Sequence, residues 1–198
     1  MSLTYANITP TVVFATRHLQ ASTPKLVRAA NGKFKQEITG VCLALVYDWL
    51  AQCKKRGAVT DTSQLRSRQA ISLLQTGYQL GRLGVGDPRR NDCEQMADAV
   101  GLDSSSNWPD GADLGQLRHA AYNVQAGYFA SAVFGLRGQP ASHALAARGL
   151  GEESVEFFDP NVGVLHFSPK QAMNEWVGAF LIARYPTLVH NIDVQIVD

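Results

Sequence analysis

Cys42, His143 and Asp159 carry the chemical reading of this sequence. A cysteine thiol becomes a nucleophile when a base takes its proton, and the imidazolium that results must be stabilised and aimed by a third group. Cys42 stands directly after Gly40 and Val41, at the start of the strongest helical stripe in the chain. At a helix N-terminus the unpaired backbone N–H groups and the positive end of the helix dipole favour a thiolate. A free cysteine can equally be a small buried hydrophobe, and position alone does not separate the two readings.

The second half of the chain supplies a base and a carboxylate. His143 and Asp159 flank two strand-like segments, HALAARGL and SVEFFDP, and lie equally far on either side of Gly151. A hairpin folding about Gly151 predicts His143 opposite Asp159, Leu145 opposite Phe157 and Ala147 opposite Val155, with Arg148 diagonal to Glu156 on the other face. Opposed side chains on neighbouring strands have Cβ atoms roughly 4.5 to 5.5 Å apart. Asp159 can then accept a hydrogen bond from one ring nitrogen and leave the other to face a thiol. Gln36, shortly before the helix, is the candidate oxyanion donor beside the backbone N–H of Cys42, with Glu37 and Asn31 as alternatives for that place.

The remaining residues with reactive or ligating side chains have plainer readings. His119 falls within a predicted helix and His166 at a strand end, while His18 and His190 have no chemical neighbours in sequence. No two histidines sit at metal-ligand spacing with an acidic partner. Cys53 and Cys93 read as packing residues. The glycines of Gly81 to Gly86 follow a helix rather than a strand, so a phosphate loop is not expected. Arg89 and Arg90 read as a solvated pair, and Trp108 as an exposed aromatic near a turn that can line a cleft.

The elements that must hold Cys42, His143 and Asp159 follow from the periodicity. Leu45, Trp49 and Cys53, with Val46 and Leu50 beside them, predict a buried amphipathic helix ending near Lys54 to Gly57. Further helices are expected over Ser63 to Leu80, over Asn91 to Val100, from a cap at Asp113 to about Asn123, and from Pro169 to about Arg184. GRLGVGDPRR and Asp103 to Gly111 read as loops. From Gly127 onward GYFASAVFGLR, HALAARGL, SVEFFDP and VGVLHF alternate as strands, and Ile192 to Val197 is expected as an edge strand. Helices first and an antiparallel sheet second make an α+β fold: an irregular lead-in over residues 1–35 and one domain over 36–198.

Composition narrows the function classes. A chain of 198 residues, 45% of them hydrophobic, buries one sizeable core. A net charge of +1 gives no long-range pull toward nucleic acid or anionic lipid. Three cysteines without a CxxC pair argue against a disulfide framework or a structural zinc site. No basic n-region precedes an apolar stretch at the N-terminus, so any export proceeds without a cleaved Sec signal.

GVCLALVYDWL, with its helix-opening cysteine and a tryptophan seven residues on, resembles the nucleophile segment of the YopT-like cysteine proteases of bacterial effectors. SHALAARGLGEESVEFFDPNVGVLHF is similar to the same family's second block, in which a His opens one strand and FFDPN closes the next. The resemblance implies a papain-like fold, with the nucleophile on Cys42, the base on His143 and the orienting acid on Asp159. It further implies peptide-bond hydrolysis through a thioester, no cofactor and no metal. The implied substrate is a host protein, a small GTPase or a kinase, with membrane contact made only through a lipidated substrate. The implied location is the bacterial cytoplasm before export and the host cell after translocation. Several family members also process their own N-termini; here 41 residues precede Cys42, a leader either short or already removed, so self-processing is not expected to carry over. The same triad serves acyltransferases and transglutaminase-type enzymes, and the fold can persist as a non-catalytic binding module.

Overall fold

Apolar residues recurring at helical spacing, and apolar and polar residues alternating along the second half, produce two kinds of layer that share one sheet. The structure, a computed structural model, describes residues 2–16, 23–28, 34–39, 41–79, 92–107, 113–138 and 142–198. In chain order these form strands β1 (Thr11–Ala15), β2 (Thr23–Arg28) and β3 (Phe34–Thr39), then helices α1 (Cys42–Arg56), α2 (Arg68–Gln79) and α3 (Asp92–Val100). Strand β4 (Ser104–Asn107) and helix α4 (Leu114–Ala126) come next, followed by β5 (Ser131–Leu136), β6 (His143–Gly149), β7 (Val155–Asp159) and β8 (Gly163–Phe167). Helix α5 (Gln171–Arg184) and strand β9 (Ile192–Val197) complete the order.

Seven strands make one sheet in the order β1-β8-β7-β6-β5-β9-β4, every neighbouring pair antiparallel. The strands bury both faces, because side chains alternate across the pleat and helices cover each side. Leu145, Ala147, Val155 and Phe157 share a core with α4 and α5, whereas Ala144, Ala146, Phe158 and Val164 share the other with α1 and Met96 and Ala97 of α3. The fold class is α+β, as expected, with a second helical layer on the far face of the sheet.

Several elements depart from the sequence reading, each for a physical reason. Residues 11–15 are not irregular lead-in: β1 pairs with β8 and contributes Phe14 to the core. β2 and β3 pair as an antiparallel two-stranded sheet across the expected boundary at residue 35. β4 forms inside the stretch expected as a loop, because β9 offers it an unpaired ladder; β9 is therefore interior, between β5 and β4. The helix expected from Ser63 is a 3-10 turn, Thr62–Gln64, followed by α2. Between them Arg66 is drawn onto α1, its backbone N–H 2.8 Å from Asp48 Oδ2 and its Nε 3.1 Å from Asp48 Oδ1. α5 begins at Gln171 rather than at Pro169, whose carbonyl accepts from Ala172 in a preceding turn.

Where β1 joins the sheet, the two backbones meet at Gly163, whose φ is +134°. A Cβ there would collide with the Phe14 carbonyl oxygen and stand 2.8 Å from the Ala15 Cα. Only glycine accepts both the angle and the approach. Gly163→Ala is expected to cost at least about 2 kcal/mol in a urea unfolding titration and to free the amides of β1 for hydrogen exchange.

Candidate active site

Helix α1 opens on Cys42 without a side-chain cap at Val41 and without an acidic residue in its first turn. One of its orphan N–H groups, that of Ala44, donates to Oε1 of buried Gln75 on α2 at 3.0 Å. The N–H of Leu45 donates to the Val41 carbonyl. Further along, Trp49 packs on Phe158 of β7 at 5.1 Å between ring centroids and lies under the Arg148 guanidinium. Arg148 is itself paired with Glu156 across β6 and β7 at 2.7 Å and donates to the Gly57 carbonyl. Apolar packing and one buried ion pair thus pin α1 to the sheet and set where Cys42 stands.

His143 is the first residue of β6 and Asp159 the last of β7. Their strands pair two residues out of the expected register: Ala147 faces Phe157, Gly149 faces Val155, and Arg148 lies directly opposite Glu156 rather than diagonal to it. The connection, residues 150–154, is centred on Glu152 rather than on Gly151, closing where the Leu150 N–H donates to the Ser154 carbonyl, and the shift brings the buried ion pair into direct opposition. A slip of two leaves every side chain on its original face, so His143 and Asp159 still meet, diagonally.

The meeting is close. His143 Nε2 is 2.8 Å from Asp159 Oδ1, with the carboxylate fully buried and the ring nearly so. Asp159 is held by its own turn: the Asn161 N–H donates to Oδ1 at 2.8 Å and the Val162 N–H to the Asp159 carbonyl, with Pro160 between. Thr16, just beyond β1, donates its hydroxyl to the Pro160 carbonyl at 2.8 Å and braces that turn from outside. With Nε2 committed to Asp159, the ring's other nitrogen, Nδ1, is left for Cys42, whose half-buried side chain is close enough to act on the imidazole.

Burial alone would drive the His143 ring toward its neutral form. The hydrogen bond His143 makes to Asp159 first, then its interaction with the Cys42 sulfur, then the charges of both outweigh it and lift the ring to about 9. Cys53 has the opposite character, since burial pushes its thiol up to about 12 against a small opposing effect of Arg148. One cysteine therefore faces a strong proton acceptor, and the other is sealed.

Cys42, His143 and Asp159 are brought together by the fold. Gln36 lies in β3 opposite Leu26, and its side chain is outside the described residues. Glu37 is likewise described only as a member of β3, and Asn31, His18, Trp108, Arg89, Arg90 and the glycines of Gly81 to Gly86 are outside the described residues altogether. Cys93 lies in the first turn of α3, its side chain also outside them, and Cys53 is buried as expected. His119 on α4 and His190 in the turn before β9 are exposed, and His166 is half-buried on β8. Sequence reading misses Gln75, Asn161 and Tyr185, whose hydroxyl donates to Asp159 Oδ2 at 2.7 Å. The Asp-Pro-Asn turn is a signal for Asn161; nothing in the local pattern marks the other two.

The chain is similar to known proteins in sequence and in fold. Residues 111–191 match the model of a peptidase family described as Yersinia/Haemophilus virulence surface antigen. The chain is 26% identical over 165 residues to the cysteine protease YopT of Yersinia pestis, an alignment covering 73% of this chain and 50% of that protein. The cysteine protease YopT of Yersinia enterocolitica is 27% identical over 168 residues with the same coverage. The chain thus spans about half the length of these relatives. Among solved structures, the Pseudomonas avirulence protein AvrPphB superimposes with a TM-score of 0.57 at 17% identity, covering 80% of this chain and 91% of the other, a likeness of fold.

Proposed function

We propose that this chain, similar in sequence to the YopT cysteine proteases and in fold to AvrPphB, hydrolyses peptide bonds through a thioester on Cys42. The observation that carries this reading is the commitment of His143 Nε2 to buried Asp159, which leaves the other ring nitrogen for Cys42 at the start of α1. In the forward step His143 takes the Cys42 proton while the sulfur bonds to the substrate carbonyl carbon. The oxyanion so formed is met by the backbone N–H of Cys42, with Gln36 as the second donor. Collapse breaks the C–N bond as the imidazolium passes its proton to the departing amine. Water then adds to the thioester, His143 accepts its proton, and the C–S bond breaks to restore the thiol. Asp159 stabilises and aims the imidazolium throughout.

The family suggests a host protein as substrate, with small GTPases and kinases as the classes to test, lipidated GTPases included, after export without a Sec signal. The experiment compares new peptide N-termini in host-cell lysate after exposure to the wild-type protein and to Cys42→Ala. Termini that appear only with wild type are expected. Acyl or isopeptide adducts on substrates in place of new termini, or termini that appear equally with the variant, would contradict hydrolysis at Cys42.

A further inference from the structure

We infer that Tyr185 is a positioning residue for the His143 base: its hydroxyl fixes the second oxygen of Asp159 while its ring backs the imidazole. The inference rests on the catalytic reading of Cys42 and His143 and names what holds that pair in line. A carboxylate that accepts through one oxygen alone can still swing about its own axis and carry the histidine with it. Asp159 has no such freedom, since Oδ1 takes His143 and the Asn161 N–H while Oδ2 takes the Tyr185 hydroxyl at 2.7 Å.

The direction of that last bond is settled by its neighbour. Asn161 Nδ2 lies 2.9 Å from the Tyr185 oxygen and 3.3 Å from His143 Nε2. An amide N–H can only donate, and Nε2 is already donating to Asp159, so the amide hydrogen goes to the phenol oxygen. The phenol hydrogen is thereby turned toward Asp159. Burial, followed by the Asp159 charge, raises the phenol far above its ordinary range, so it remains a donor wherever the enzyme is folded. The Tyr185 ring meanwhile lies over the imidazole, centroids 4.8 Å apart and planes 29° from parallel, which closes that face of the base to water and to rotation.

Tyr185 is able to hold because it is held. It closes α5, its N–H bonded to the Leu181 carbonyl at 2.8 Å and its carbonyl accepting from Leu188 at 2.9 Å. Its ring meets the edge of Phe180, which stacks on Trp176 at 4.3 Å, and Trp176 packs against Phe157 of β7. The strand that carries Asp159 and the helix that carries Tyr185 are therefore joined by one aromatic column. Loss of the hydroxyl should disturb the alignment of the base without disturbing the fold.

The test is a double-mutant cycle read by the rate at which iodoacetamide alkylates Cys42 at pH 7, with peptide mapping of the label. Tyr185→Phe is expected to slow labelling about tenfold in the wild-type background and less than about twofold in Asp159→Asn, because its effect passes through the carboxylate. Tyr185→Leu, which also removes the ring, is expected to slow it further. The exchange of the His143 Nε2 proton with water, read by NMR, should quicken in Tyr185→Phe. An equal factor in both backgrounds, no change in either, or a slowing that merely tracks a fall in melting temperature would overturn the inference. Alkylation needs no peptide, so a wild-type protein that labels fast yet releases no termini refutes the proposed hydrolysis and leaves the role of Tyr185 standing.

Discussion

His143→Ala is expected to lower Cys42-dependent peptide hydrolysis about ten-thousand-fold while far-UV circular dichroism stays that of the folded protein. The size follows from the number of steps the ring serves. It takes the thiol proton, delivers a proton to the leaving amine and activates water, and no second base stands among the described residues that contact it: Asp159, Asn161, Tyr185 and Cys42. The two other ionisable groups there do not substitute, because Asp159 is fully buried and committed and Tyr185 is held protonated. Residual activity only tenfold below wild type would mean that another group removes the thiol proton. The initial rate of release of new N-termini, compared at equal protein concentration, is the measurement.

Asp159→Asn is expected to bring the titration of His143, followed by NMR of the ring carbons, well below about 9. Asp159 supplies the largest effect opposing burial; an amide still accepts from Nε2 but removes the charge, leaving burial opposed mainly by Cys42. The same link makes stability depend on pH. A histidine raised to about 9 in the folded state, against about 6.5 when unfolded, contributes stability that is fully present below about pH 6.5 and is lost as pH rises through about 9. The loss is on the order of 3 kcal/mol in wild type and smaller in Asp159→Asn. A midpoint that stays near 9 in the variant would assign the raised value to something other than this carboxylate.

Periodicity and turn chemistry make part of this molecule legible in its sequence. The stripe through Leu45, Trp49 and Cys53 places a helix start at Cys42, and α1 begins there. Asp113 is readable as a cap, and it forms a capping box with Gln116. Alternation assigns His143 and Asp159 to one face of a hairpin, but it fixes parity and nothing finer, so a slip of two is invisible to it. That slip is decided by the five-residue connection and by the ion pair of Arg148 with Glu156, both of which need the third dimension.

β4 illustrates a second limit. Ser104–Asn107 has no apolar pattern, and it becomes a strand because β9 presents it a ladder of unpaired groups. β1 is short, and it enters the sheet because Gly163 lets the backbones close. Tyr185 and Gln75 lie far from Asp159 and Cys42 in sequence and reach the site only through packed helices, so no spacing rule finds them. Asn161 lies two residues beyond the acid within FFDPN, yet its hydrogen bonds to Asp159 and Tyr185 follow from the turn geometry rather than from the motif.

Activation of one cysteine by one histidine is open to a chemical labelling experiment. Wild-type protein treated at pH 6 with a substoichiometric, mechanism-based thiol electrophile and then digested should carry the label on Cys42, with Cys53 and Cys93 unmarked. His143→Ala should abolish that preference. Equal labelling of Cys42, Cys53 and Cys93 in wild type, or labelling of Cys42 that is indifferent to loss of the imidazole, would contradict it.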